Sequence, residues 1–364
     1  VLGGRAPGIE RHLEPDRPRS EWSNRRRTGQ PMGRSAPSIS MAPPTFGAGS
    51  PCSGRRTVPT WHADRVETPE WFTQALQAPV DDEYIDVAGC SIHYRRWGRA
   101  DRPGLVLVHG GGAHARWWDH VAPLLAGEYC VVALDLSGHG DSDRRDTYSY
   151  SMWGREIVEV AAHSCMPEPP IVVAHSMGGW VAITAAAEHP DSIAGLIVID
   201  SAVVKPDPES EAAQVGEAFG RLRLYPSLDD ALLHFRTVPR QPDVLPYVTA
   251  HVALTSVRAV DGGWTWKFDP EVFACGMLDP AILPRVRCRV SLFRAEHGLV
   301  TPKIGEYMYE QLGRVAPVVE VPLAWHHIML DQPIALVTGV RAMLADWNHS
   351  VAATRPAWTD RPAS

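Results

Sequence analysis

The chain has 364 residues, 45% of them apolar, and a formal net charge of −7. That length suits one large α/β unit with an insertion, or two domains, and the acidic balance argues against a nucleic-acid partner. No apolar run reaches the roughly 18 residues of a membrane-crossing helix.

Six cysteines are scattered without a C-x-x-C pair, so neither a zinc site nor a disulfide framework is indicated. The N-terminus lacks the apolar stretch of a secretory signal, and the expected location is the cytoplasm. Residues 1–60 are rich in Arg, Pro, Gly and Ser and lack apolar periodicity. Such a segment buries too little surface to offset its ordering entropy, and it is expected to be a disordered tail, as are residues 351–364.

Ordered structure is expected from about residue 83. Tyr84–Val87 and Ser91–Tyr94 alternate about Gly89 and predict a hairpin. Short apolar runs follow at Leu105–Val108, Val131–Leu134, Ile171–Ala174, Leu196–Ile199, Val290–Phe293 and Val318–Val321. Helical patterns lie between them, near 117–125, 150–163, 177–189, 303–312 and 333–347. Continuous apolar strands alternating with helices imply an α/β fold, a mostly parallel sheet covered on both faces. The rhythm breaks between Asp200 and Pro284, where Leu228–Arg236 and Val244–Val257 look helical and Trp264-Thr265-Trp266 is aromatic. This predicts a core of residues 61–202 and 284–350. Residues 203–283 form a helical cap inserted after the sixth strand, over the edge where α/β enzymes bind ligands.

The chemistry concentrates at Ala174-His175-Ser176-Met177-Gly178-Gly179. A sharp turn from strand into helix strains its central residue, requires small neighbours and exposes the Ser176 hydroxyl. The Met177 N–H, at the helix start, can stabilise an oxyanion. The strand Leu105–Val108 runs into His109-Gly110-Gly111-Gly112, and Gly111 N–H is the candidate second donor. Trp325-His326-His327 follows the last strand and supplies the base; register against Asp331-Gln332-Pro333 favours His326 over His327. The acid that orients this imidazole has two candidate sources, Asp200 and the loop containing Glu296.

Four motifs in this order resemble the α/β-hydrolase fold superfamily, in its small soluble branch with a helical cap. They are His109–Gly112, Asp135–Ser142, the Ser176 elbow and His326–Pro333. The resemblance covers residues 83–347. It implies a serine hydrolase acting on a carboxylic ester or related acyl compound, with no metal or organic cofactor. Members with Asp at the elbow are dehalogenases and epoxide hydrolases, so Ser176 points to acyl transfer. Asp135–Ser142 is expected to serve stability. The family usually places its acid in Gly-x-x-Asp after the seventh strand, but the aligned stretch is Ala295-Glu296-His297-Gly298, with glycine at the acid position. Some members place the acid after the sixth strand, where Asp200 stands. Asp200 is therefore favoured, with Glu296 as the alternative.

Trp118, Trp264 and Trp266 are candidate pocket residues for an apolar or aromatic small-molecule substrate, with core packing as the competing role. The alternatives are C–C bond hydrolysis or cofactor-free peroxidation on the same scaffold, and a ligand receptor without turnover.

Overall fold

The computed structural model describes residues 67–164, 166–205 and 222–350. The expected tails lie outside the described residues, as does part of the expected cap. Helix α1 (Glu70–Leu76) leads into strands β1 (Asp81–Val87) and β2 (Cys90–Trp97). Val87 pairs with Cys90, leaving Ala88-Gly89 as a two-residue turn. Both turn residues have positive φ, 51° and 79°, as the tight turn that matches strand twist requires.

Strands β3 (Gly104–Val108) and β4 (Cys130–Leu134) follow. The helix expected near 117–125 is instead two short 3-10 turns, Ala115–Trp118 and Ala122–Leu124. Pro123 lacks the N–H that an α-helical ladder needs. Helix α2 (Tyr150–His163), strand β5 (Ile171–His175), helix α3 (Met177–Glu188) and strand β6 (Gly195–Ile199) come next. The segment between β6 and the following sheet strand holds helices α4 (Leu228–Leu233) and α5 (Pro246–Thr255). It is not wholly helical: strands β7 (Val257–Val260) and β8 (Gly263–Trp266) form an antiparallel hairpin about Asp261-Gly262. Two 3-10 turns, Pro270–Cys275 and Pro280–Arg285, lead into β9 (Arg289–His297). Helix α6 (Pro302–Gln311), strand β10 (Val318–Trp325) and helices α7 (Ile328–Asp331) and α8 (Pro333–His349) complete the described chain.

The main sheet has eight strands in the order β1-β2-β4-β3-β5-β6-β9-β10. The pairs β1/β2 and β2/β4 are antiparallel, and the rest are parallel. Because side chains alternate along a strand, each central strand feeds two cores. Val106, Val132, Val172, Leu196 and Val290 join one, packed under Trp153 and Ile157 of α2 and Val181 of α3. Leu107, Val131, Val173, Ile197 and Phe293 join the other, under Leu336 and Val340 of α8. Burial on both faces explains why these strands are apolar without alternation. No helix among the described residues is long and apolar enough to cross a membrane.

Asp135, at the end of β4, is buried and ties three segments together. Its Oδ1 accepts from Ala115 N at 2.6 Å, and its Oδ2 from Asp141 N at 2.8 Å and His93 Nδ1 at 2.7 Å. Burial alone would raise its pKa, but the bond from His93 and the positive charge there hold the carboxyl well below the usual carboxylate range. An amide at this position would turn its N–H₂ group toward the one donor at Oδ1 or the two at Oδ2. Asp135→Asn is expected to lower unfolding free energy by about 1–3 kcal/mol, measured by urea denaturation at neutral pH; an unchanged midpoint would contradict this bracing role.

Candidate active site

Ser176 sits between β5 and α3 with φ 54° and ψ −125°. This left-handed backbone is strained for a residue with a Cβ, at a cost on the order of 1–3 kcal/mol. It persists because the surroundings fix it. Ser176 N donates to Ile199 O at 3.0 Å, and Gly179 N donates to Ser176 O at 2.9 Å. Gly178 permits the close approach of α3 to the neighbouring loop: a Cβ there would lie 2.4 Å from His109 O and 2.9 Å from Val108 O.

The elbow aims the hydroxyl at His326, which follows β10. Ser176 Oγ lies 3.0 Å from His326 Nε2, and His326 Nδ1 lies 2.7 Å from Asp200 Oδ2. His326 and Asp200 are buried. Asp200 follows β6 with φ 43°, a second strained residue at the same edge. Its carboxylate also accepts from Leu299 N at 2.7 Å and from Ala295 N and Val300 N at 3.2 Å each. Burial would raise the Asp200 pKa; the bond and charge of His326 and these backbone donors outweigh it and hold the carboxyl below its ordinary value. Glu296 stands elsewhere, with its Oε2 accepting from Leu323 N at 2.7 Å.

Gly298 explains how Asp200 fits. A Cβ on Gly298 would lie 2.3 Å and 2.4 Å from the two Asp200 carboxylate oxygens. The Asp200 carboxylate therefore fills the space that a side chain at 298 would enter.

The other two histidines are placed differently. His175 Nε2 hydrogen-bonds to His326 O at 2.9 Å, and burial drives its pKa down to about 3. His327 is also buried, and burial keeps it well below the ordinary imidazole value. The His326-His327 loop is gripped from two sides. Asp331 Oδ2 accepts from Trp325 N at 2.7 Å, and Gln241 Oε1 accepts from His327 N at 2.9 Å. Ring nitrogens of His175, His326 and His327 lie within 4.8 Å of one another, a spacing that a metal ion could bridge. A metal bound there through His326 Nε2 would displace the Ser176 hydroxyl, and through Nδ1 the Asp200 carboxylate.

A cavity of about 150 Å³ opens beside Ser176, lined by Gly110, Gly111, Met177, Trp180, Val272 and Phe273 among others. Gly111 and Met177 are thus at the wall next to the hydroxyl. The first-turn N–H groups of α3, Met177's among them, lack helical acceptors by construction. The tryptophans singled out from sequence lie apart from this cavity. Trp118 is buried in the core under α8. Trp264 packs with Tyr225 and Val257 in a small separate cluster. Trp266 lines a second, adjoining cavity. Trp180, Tyr150 and Phe273 line the first cavity and were not singled out from sequence. Trp180 had a signal, because it lies four residues past Ser176 and so on the same helix face.

With this geometry in hand, the chain can be set beside known proteins. A family model for the alpha/beta hydrolase family matches residues 105–339, more than half of the chain. The chain belongs to the alpha/beta hydrolase family. It is 29% identical over 260 residues to Esterase Rv0045c of Mycobacterium tuberculosis, covering 68% of this chain and 85% of the relative. It is 30% identical over 199 residues to protein phosphatase methylesterase 1 of Mus musculus, covering 52% of this chain and 51% of the relative. A solved structure of the M. tuberculosis esterase superposes with a TM-score of 0.60 at 27% identity, covering 76% of this chain and 96% of that one. Such relatives support a hydrolase.

Two tests follow from the geometry. Gly298→Ala is expected to push the Asp200 carboxylate off His326 and to destabilise the fold by about 1–3 kcal/mol, as overpacking does. Thermal unfolding and loss of the downfield proton resonance of the His326–Asp200 bond read this out; an intact resonance would refute the steric argument. Asp331 gives a pH effect, because burial raises its carboxyl pKa to about 7 against the opposing bond from Trp325 N. Between about pH 4 and about pH 7 the folded chain then holds more protons than the unfolded chain, so this group lowers stability as pH rises. Asp331→Asn should remove that slope, and melting temperatures at about pH 5 and about pH 8 should converge relative to the parent.

Proposed function

We propose that the chain hydrolyses carboxylic esters or related acyl compounds, lactones and thioesters among them, through an acyl-enzyme at Ser176. The observation that carries this is the hydrogen-bond chain from Ser176 Oγ through His326 to Asp200. In this reading His326 Nε2 takes the Ser176 proton as Oγ attacks the substrate carbonyl carbon. Negative charge gathers on the carbonyl oxygen, and the Met177 and Gly111 N–H groups stabilise it. The tetrahedral species collapses as His326 hands its proton to the leaving alkoxide or thiolate. Water then attacks the acyl-enzyme with His326 again as base, releasing the acid and restoring Ser176. Asp200 holds the His326 tautomer that presents a bare Nε2 to the hydroxyl and stabilises the imidazolium as it forms.

The segment between β6 and β9 acts in this proposal as a cap over the reacting carbonyl. Val238, Val272, Phe273 and Met277, all from that segment, line the cavity beside Ser176. Their apolar surface fits a small-molecule substrate with an apolar acyl or alcohol part. The esterase names of the M. tuberculosis and mouse relatives support ester hydrolysis as the class of reaction.

The test is turnover of short p-nitrophenyl esters together with labelling by a fluorophosphonate. The wild type should do both, and Ser176→Ala should do neither. Asp200→Asn should reduce kcat by about three to four orders of magnitude, as the loss of a triad acid does. Glu296→Gln should remain near wild type, since Glu296 is exposed and, among the described residues, is bonded to a backbone amide away from His326. A wild-type chain that turns over none of the esters, or an unlabelled Ser176 at neutral pH, would defeat the proposal.

A further inference from the structure

A second cavity, of about 710 Å³, shares Gly111, Val238 and His327 with the one beside Ser176 and extends away from it. Its described lining contains no Asp or Glu, although the whole chain carries a net charge of −7. It contains Arg223, Arg236 and Arg240, all exposed, and none of them forms an ion pair among the described residues. Trp117 lines this cavity, and its buried indole Nε1 has no hydrogen-bond partner among the described residues. His327, shared by both cavities, is buried with the backbone of Val238 and Pro239 beside its ring. The two rings meet edge to face with centroids 5.4 Å apart. Leaving a buried donor unpaired costs about 1–3 kcal/mol, and such groups are otherwise paired in folded chains. An indole N–H has only one use, donation to an acceptor. Cations at the rim and an unspent indole donor at the neck describe one kind of ligand: a group rich in acceptor oxygens and negatively charged. Trp266 adds an apolar wall to the same cavity.

We propose that this second cavity is the subsite for the part of the substrate remote from the scissile carbonyl, and that it takes an anionic group, carboxylate or phosphate, at the end of an apolar stretch. Trp117 holds an acceptor oxygen at the neck, and Arg223, Arg236 and Arg240 attract and hold the charge. The proposal rests on Ser176 as the nucleophile, but the binding site itself is tested without turnover.

The probes are hexanoate, hexyl phosphate and hexanol, titrated calorimetrically into the full chain carrying Ser176→Ala. Both anions should bind at least about tenfold more tightly than hexanol, and the tighter of the two distinguishes carboxylate from phosphate. Arg236→Gln combined with Arg240→Gln should erase most of that preference. Trp117→Phe keeps a ring and removes the N–H, and it should weaken both anions; circular dichroism checks that each variant is folded. Hexanol binding as well as the anions, or anion affinity unmoved by the arginine substitutions, overturns the proposal. Failure of the wild type to cleave neutral p-nitrophenyl esters strikes the ester reading and leaves this binding result standing.

Discussion

Parallel strands that end at one edge of a sheet bring distant parts of the chain to a common point, and the candidate site depends on that constraint. Ser176 follows β5, Asp200 follows β6, Gly298 follows β9 and His326 follows β10. The glycine loop follows β3, which is hydrogen-bonded to β5. Neighbouring strands are about 4.8 Å apart, so the ends of β5, β6, β9 and β10, consecutive in the sheet, lie within about 15 Å of one another, and the residues that follow them close the remaining gap. Positions 126 and 150 residues apart in sequence are joined by bonds of 2.7 Å and 3.0 Å.

Precision at that edge is maintained against local preference. Ser176 and Asp200 both occupy left-handed backbone, which residues with a side chain avoid. Two buried cores, one on each face of the sheet, hold the strands whose ends impose those conformations. The polar ends of the same strands are satisfied locally. Asp200 receives three backbone amides besides His326, and Asp135 receives two besides His93. A carboxylate so surrounded is held both in position and in charge state.

Much of this was legible in the sequence, for a physical reason. A strand buried on both faces is apolar at every position, and Leu105–Val108 and Leu196–Ile199 announce themselves that way. The elbow was legible because a sharp turn demands small residues, and Ala174 and Gly178 satisfy it. Other features were written in signals of another kind. Asp261-Gly262 between Val260 and Gly263 is a strong two-residue hairpin signal, but it is embedded in an aromatic stretch whose strands are only four residues each. Pro123 marked the break of the expected helix near 117–125. The places of Trp118 and Trp264 were not legible, because aromatic residues serve cores and pockets with the same chemistry. The neighbourhood of Gly298 depends on a contact between two strand ends, and no local pattern encodes it.

That contact restricts how such a site can change by single substitutions. The Asp200 carboxylate and a side chain at 298 exclude each other by volume. A chain with Asp at both positions is overcrowded, and a chain with neither leaves His326 without its anion. Any single-substitution route that moves the carboxylate from 200 to 298 therefore crosses a valley, either of steric strain or of a His326 ring without its carboxylate partner. The two positions behave as one epistatic unit: the tolerance of each is set by the occupant of the other, and alteration of one alone misrepresents both.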